Sequence, residues 1–178
     1  YYPAAILDQP YQFDSYQGGG IDIAFLSQAQ VDRHGNVNVS KFGHRIPGCG
    51  GFIDISQNAR KVVFCGTLSV KAELEIAAGV LKIAKEGIAT KFVDQVEQIT
   101  FSGRYANETG QEVLYVTERA VFQLIDGSVV LKEIAPGIDI KRDILAAMEF
   151  EPIVQQVSGM DEYVFNDLPI NLPHFTSI

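Results

Sequence analysis

The chain has 178 residues, enough for one domain with a sizeable core and too few for two comfortable ones. Its 47% hydrophobic and 20% charged residues, with 16 Gly, describe an ordinary globular composition and disfavour collagen, coiled coil and a disordered chain, with one α/β domain as the starting expectation. Lys and Arg number 14 and Asp and Glu 22, giving a net charge of −8. No run of basic residues offers the stripe that nucleic acid or an anionic membrane requires, so neither partner is expected. Apolar runs such as 21–26 and 61–65 fall far short of the roughly 20 residues that cross a bilayer. The opening Tyr1-Tyr2-Pro3-Ala4 lacks an initiating Met and the basic and apolar regions of a secretory signal, and reads as a cut end. With Cys49 and Cys65 alone, no disulfide framework or four-ligand zinc site can be built, which fits a reduced, cytoplasmic setting. The sequons at Asn38 and Asn107 are read as chance matches.

Residues 1–17 are polar, aromatic and punctuated by proline, and the triplet Gly18-Gly19-Gly20 ends them at a sharp turn. The run 21–27 reads as a strand covered on both faces, and 36–40 as a strand alternating Val37 and Val39 with polar residues. Asp32-Arg33-His34-Gly35 is the turn between them. The stretch 41–51 reads as loop, 52–59 as two turns of helix and 61–65 as a buried strand. Leu74 and Ile76, then Val80, Leu81 and Ile83, predict a hairpin around Ala77-Ala78-Gly79. Further strands are expected at 98–102, 112–117, 120–125 and 128–134. Asp139 is a candidate N-cap for a helix that would place Ile140, Ile144, Leu145 and Met148 on one face, the only long helix expected. The last thirty residues, with Pro152, Pro169 and Pro173, read as an extended arm.

Two glycine clusters carry the functional argument. Gly18-Gly19-Gly20 alone is no more than a turn. Gly48-Cys49-Gly50-Gly51 stands directly before a predicted helix, where unpaired N–H groups and the helix dipole favour an anion or a developing oxyanion. Neither cluster is a Rossmann fingerprint or a Walker loop, so NAD and ATP are not implied. Cys49 as a nucleophile with His44 as its base competes with a small residue tolerated in a tight turn, and the second reading is preferred. His34 falls in a turn and His174 in the tail, without the spacing of a metal site, and no metal is expected. Lys41, His44, Arg45, Arg60 and Lys61 form a local excess of base, read as a solvated face. Glu118 is read as a salt-bridge or turn residue.

Three runs resemble the family I coenzyme A transferases, nearest to the acetate or propionate CoA-transferase branch: Gly18-Gly19-Gly20-Ile21-Asp22, Asp32 through Phe42, and Gly48 through Ser56. The segments 99–103, 117–122 and 133–137 agree with it, and the likeness covers most of residues 4–155. It implies an open α/β/α sheet with an added β-rich region over about residues 70–135. It also implies the C-terminal domain of a chain about three times this long, spanning residues 1–178 here. The implied reaction is a ping-pong transfer of coenzyme A between a short-chain acyl-CoA and a carboxylic acid. Coenzyme A is then a substrate and a covalent glutamyl-CoA intermediate, with no permanently bound cofactor. A carboxylate is a weak nucleophile toward a thioester, so such a site must hold it close and stabilise each oxyanion with fixed donors.

The resemblance assigns an oxyanion N–H to Gly50 or Gly51 and the neighbouring wall to Gly18, Gly19 and Gly20. It places Asn36, Lys41, Gly48 and Cys49 among the coenzyme A and substrate contacts, Cys49 through backbone and packing. The family's nucleophilic glutamate stands upstream of the segment resembling residues 1–10, and no residue here matches it. The chain is therefore expected to be inactive alone, to need the N-terminal part or a companion chain, and to work in a homo-oligomer. The competing readings are a non-catalytic coenzyme A-binding or assembly module and an acyl-CoA hydrolase on the same scaffold.

Overall fold

The computed structural model describes residues 2–166. In chain order these form α1 (Gln9–Gln17), β1 (Ile23–Ser27), β2 (Gln30–Val31), β3 (Val37–Asn38), α2 (Phe52–Asn58) and β4 (Lys61–Cys65). There follow β5 (Ser69–Val70), β6 (Glu73–Ala77), β7 (Val80–Lys85), β8 (Ala89–Thr90), α3 (Gly103–Thr109) and β9 (Glu112–Val116). The last strands are β10 (Ala120–Ile125), β11 (Ser128–Ile134) and β12 (Ile153–Gly159). The central sheet has six strands in the order β1-β4-β9-β10-β11-β12. β1, β4 and β9 run parallel, β9, β10 and β11 are antiparallel, and β12 returns parallel to β11. This is the mixed α/β class expected. The β-rich stretch divides: β9–β11 belong to the central sheet, while β6–β7 and β5–β8 form separate two-stranded pairs. Among the described residues no helix is long and apolar enough to cross a membrane.

Successive strand side chains point to opposite faces. On one face Phe64 of β4 stacks on Phe52 of α2 and on Tyr115 of β9, with centroids 5.8 and 5.6 Å apart, and meets Phe101 edge-on at 5.0 Å. The Tyr115 hydroxyl donates to the Gly35 carbonyl at 2.6 Å, and burial pushes its pKa well above the usual phenol range, so it remains a donor. The helices gather on this side. On the other face Phe25 of β1 is 67% exposed and Ile23 44%. That corrects the expectation for residues 21–27: the strand is buried on one face only, and it lies at the sheet edge.

Other expectations change for physical reasons. Residues 9–17 form α1, started by Pro10 in its first turn, although no residue of this helix is buried. The 32–35 turn joins β2 to β3 instead of following the first strand, and Asp32 Oδ1 closes it by accepting from the His34 and Asn36 amides. Residues 98–102 are not a strand: Phe101 makes a single bridge with Val37, while the Thr100 hydroxyl turns to Ser40 at 2.7 Å. The helix expected from Asp139 is capped there as predicted, but becomes a π-helical turn (Ile140–Ile144) and one 3-10 turn (Leu145–Ala147). The Asp143 carbonyl bonds instead to Arg119, and the Glu149 amide is drawn to the Phe92 carbonyl. The expected C-terminal arm contains β12 within 153–159; Pro169, Pro173 and His174 lie outside the described residues.

Arg119 explains how the hairpins are attached. Its side chain is fully buried and donates to Glu86 through Nη1 and Nη2 at 2.7 and 2.9 Å and to Glu118 through Nε at 2.9 Å. It also donates to the Asp143 carbonyl at 2.9 Å, while Glu118 accepts from the Leu68 amide at 2.9 Å. One guanidinium thus joins the start of β10, the β5–β8 region and the π-turn. The hydrogen bonds from Arg119 hold the Glu86 carboxyl down at about 2, against 4.5 for an ordinary glutamate. Because the folded pKa is the lower one, this contribution is complete above about pH 4.5 and is lost as pH falls toward about 2. Glu86→Gln should therefore flatten the acid side of the stability curve, read by urea unfolding between those pH values. Arg119→Met leaves two carboxylates unpaired and should destabilise the fold by about 3 kcal/mol at neutral pH.

Candidate active site

The loop before α2 is held at its base. Asn38 is buried, accepts from the Ser40 and Lys41 amides at 3.0 and 3.2 Å, and donates to the Lys41 carbonyl at 2.7 Å and to Gln30 at 2.6 Å. The Gly48 amide returns to the Ser40 carbonyl at 3.4 Å, and Glu97 accepts from the Gly43 amide. The loop therefore projects from a fixed neck. It leads to a tight turn in which Phe52 N donates to the Cys49 carbonyl at 3.0 Å and α2 begins.

Within this turn the two glycines differ. Gly50 has φ +53°, a left-handed conformation, and a Cβ built there would meet nothing within 4 Å. Gly51 has an ordinary φ of −84°, but a Cβ on it would lie 2.6 Å from Phe13 Cζ of α1. Gly50 thus shapes the turn, and Gly51 lets α1 approach α2. Among the described residues neither amide donates a hydrogen bond, and Gly50 is exposed. Two backbone donors without a partner among the described residues, one on exposed Gly50 and one on half-buried Gly51, suit a ligand oxygen. They lie on the side of the sheet where β1 and β4 end, since α2 runs back to the start of β4 across Ala59 and Arg60.

The other expected residues are distributed around the fold. Gly18–Gly20 close α1 and lead into β1 at the opposite end of the α1–α2 pair. There Ile21 and Asp22 carbonyls accept from the Arg60 and Lys61 amides. Cys49 is half-buried against the core and shares no hydrogen bond with the exposed His44, so the structure does not assemble a thiol–imidazole pair. Lys41 is held at the loop neck through its backbone. Asn36 spends its side chain on Asp32 and on the Gly103 amide at 3.0 Å each, with no bond to the glycine loop. The basic residues separate: Arg60 and Lys61 pair with Asp22 and Glu112 at the amino ends of the strands, away from Lys41, His44 and Arg45. Exposed His34 stands beside Arg33, which is paired with Asp94. Among the described residues no group of three or more His, Cys, Asp or Glu side chains could hold a metal.

Sequence reasoning missed Phe13, Gln30, Asn38 and Glu97 as the residues that fix the loop. Phe13, Gln30 and Glu97 give a weak signal because they act through long-range contacts, as between Gln30 and Glu97, whereas Asn38 acts locally on the Ser40 and Lys41 backbone. Gln28 is also unanticipated: it is 3% exposed beside Gly66, and among the described residues its amide has no partner.

A layered mixed sheet with a glycine turn at the strand ends is an α/β scaffold. No protein-family model matches the chain. It is 51% identical over 173 residues to the caffeate CoA-transferase of Acetobacterium woodii, covering 94% of this chain and 33% of that protein. It is 50% identical, with a TM-score of 0.90, to the crystal structure of the acyl-CoA transferase YdiF apoenzyme of Escherichia coli O157:H7, covering 93% of this chain and 32% of that one. The structure of YdiF as a thioester complex with CoA matches with a TM-score of 0.89 and 51% identity, covering 92% and 32%. By sequence and fold together, the chain corresponds to one part of proteins named as coenzyme A transferases. It spans about a third of the length of the curated relatives it matches.

Gly51→Ala should lower stability by about 1–3 kcal/mol by pressing α1 away from α2, and adding Phe13→Ala should recover part of that loss. The urea midpoints of the single and double variants check this coupling.

Proposed function

We propose that this chain is the C-terminal, oxyanion-supplying part of a transferase that moves coenzyme A between a short-chain acyl-CoA and a carboxylic acid. The observation that carries the reading is the pair of free amides at Gly50 and Gly51, in a chain half identical to a transferase whose structure is described as a CoA thioester complex. The nucleophilic glutamate is supplied by the remainder of the enzyme. Its carboxylate attacks the thioester carbonyl, the C–S bond breaks, and an acyl-glutamyl anhydride and CoA thiolate form. The thiolate attacks the glutamyl carbonyl, giving glutamyl-CoA thioester and releasing the first carboxylate. The acceptor acid then runs the two steps in reverse, and the glutamate is regenerated. No redox change or added reactant is needed.

Each step passes through a tetrahedral oxyanion, to which one of the Gly50 and Gly51 N–H groups donates a hydrogen bond without reorganisation. Cys49 contributes backbone and packing, and Gly48 and Lys41 hold the loop. Gly18–Gly20 and Asn36 act at a greater distance, through the ends of α1 and the 32–36 turn. We place the enzyme in the cytoplasm, a setting that two free cysteines fit, and expect it to work as a homo-oligomer.

Gly50→Ala is the selective test, because no neighbouring atom opposes the added methyl while the left-handed φ does. In the complete transferase it should misaim both amides and lower kcat about 100-fold, with KM and thermal unfolding little changed. An unchanged kcat would remove the loop from the chemistry.

A further inference from the structure

We infer that Gln28 is a positioning residue whose side-chain amide donates to the nucleophilic carboxylate brought by the rest of the transferase. The inference rests on the functional reading above for the presence of that carboxylate. Gln28 follows β1 and Gly66 follows β4, and register sets Ser27, Cys65 and Val116 level across β1, β4 and β9. Both residues therefore stand just past the carboxyl ends of the parallel strands. Open α/β sheets bind ligands at this end, and the Gly50–Gly51 turn lies there too. Gly66 makes room for its neighbour: a Cβ on it would lie 3.1 Å from Gln28 Cγ and 3.3 Å from the Gln28 carbonyl, although its own φ is not in the left-handed region.

Gln28 is 3% exposed, and among the described residues neither its Nε2 nor its Oε1 has a hydrogen-bond partner. A buried amide left in this state lowers stability unless a partner arrives. Turning the side chain toward an incoming group breaks no hydrogen bond, so the amide is free to re-aim. The charges at this end are committed to one another. Glu118 accepts from the Leu68 amide and from Arg119, Arg119 also holds Glu86, and half-buried Lys91 is attracted to Glu118. The other buried side-chain atoms without partners, on Ser56, Gln57 and Gln111, lie near the end of α2 and just before β9, at the amino ends of the strands. Of the two oxygens that need donors in the proposed reaction, the oxyanion takes a glycine amide, and the attacking carboxylate has none but Gln28 to turn to at this end. An N–H on one carboxylate oxygen would aim the other at the thioester carbonyl and favour the ionised form.

Gln28→Met in the complete transferase keeps the length of the side chain and removes its amide. The expected result is a fall in kcat of about tenfold and a rise of about one pH unit in the acid limb of kcat/KM, because a carboxylate that loses a donor protonates more readily. Thermal unfolding should stay in place or move upward, since a buried amide without a partner is removed. Gly66→Ala presses on the same side chain and leaves the amide present, so it should move the limb in the same direction by less. An acid limb that stays in place in Gln28→Met would overturn the proposal whatever kcat does. A lowered unfolding temperature would also overturn it, by showing that the amide is already satisfied within the fold. Gly50→Ala separates this proposal from the functional reading, because there kcat should fall with the limb unmoved. An unchanged kcat in Gly50→Ala removes that reading, and an unmoved limb in Gln28→Met removes this one.

Discussion

Phe64 is the contact on which the arrangement of the site depends. Its ring lies between Phe52 at the first turn of α2 and Tyr115 of β9, with Phe101 against its edge. The helix that follows the glycine turn is thereby anchored to the middle of the sheet, and Tyr115 extends the same stack to the Gly35 carbonyl. An aromatic cluster of this kind fixes orientation as well as burying area, because edge-on and offset contacts are preferred over sliding ones. The glycine turn can then be left exposed without being left loose.

Around that anchor, polar contacts replace hydrophobic ones wherever the chain has little to bury. Asn38 organises the loop neck through its side-chain amide, and Arg119 ties three distant segments to one guanidinium. These are local solutions to a shared problem. A loop that leaves its amides exposed cannot itself contribute much core, so its geometry must be imposed from the side.

The parts of the fold legible in the sequence are those whose burial is regular. β4 is a continuous apolar run in the sheet, β10 alternates buried and half-buried residues, and β6–β7 turn at Ala78-Gly79. α1 escaped because it buries none of its residues fully, so its sequence has no apolar face to display. β12 escaped for a similar reason: as an edge strand it is mostly exposed and carries Gln155 and Gln156 where alternation would be sought. The opposite error came at 139–148, where helical spacing was real but Arg119, which is distant in sequence, took a backbone carbonyl out of the helix pattern. At the site, glycine spacing and family likeness located the turn. They could not show that Gly50 is required by its backbone angle and Gly51 by the approach of Phe13, since both facts belong to tertiary contacts.

The central claim is a division of labour, with the oxyanion loop in this chain and the nucleophile elsewhere in the enzyme. It is tested most directly by intact-mass spectrometry of the complete transferase before and after incubation with acetyl-CoA, followed by peptide mapping of any CoA adduct. A covalent CoA on a glutamate outside these 178 residues is the predicted result. An adduct on a residue within them, or no adduct on an active enzyme, would contradict it.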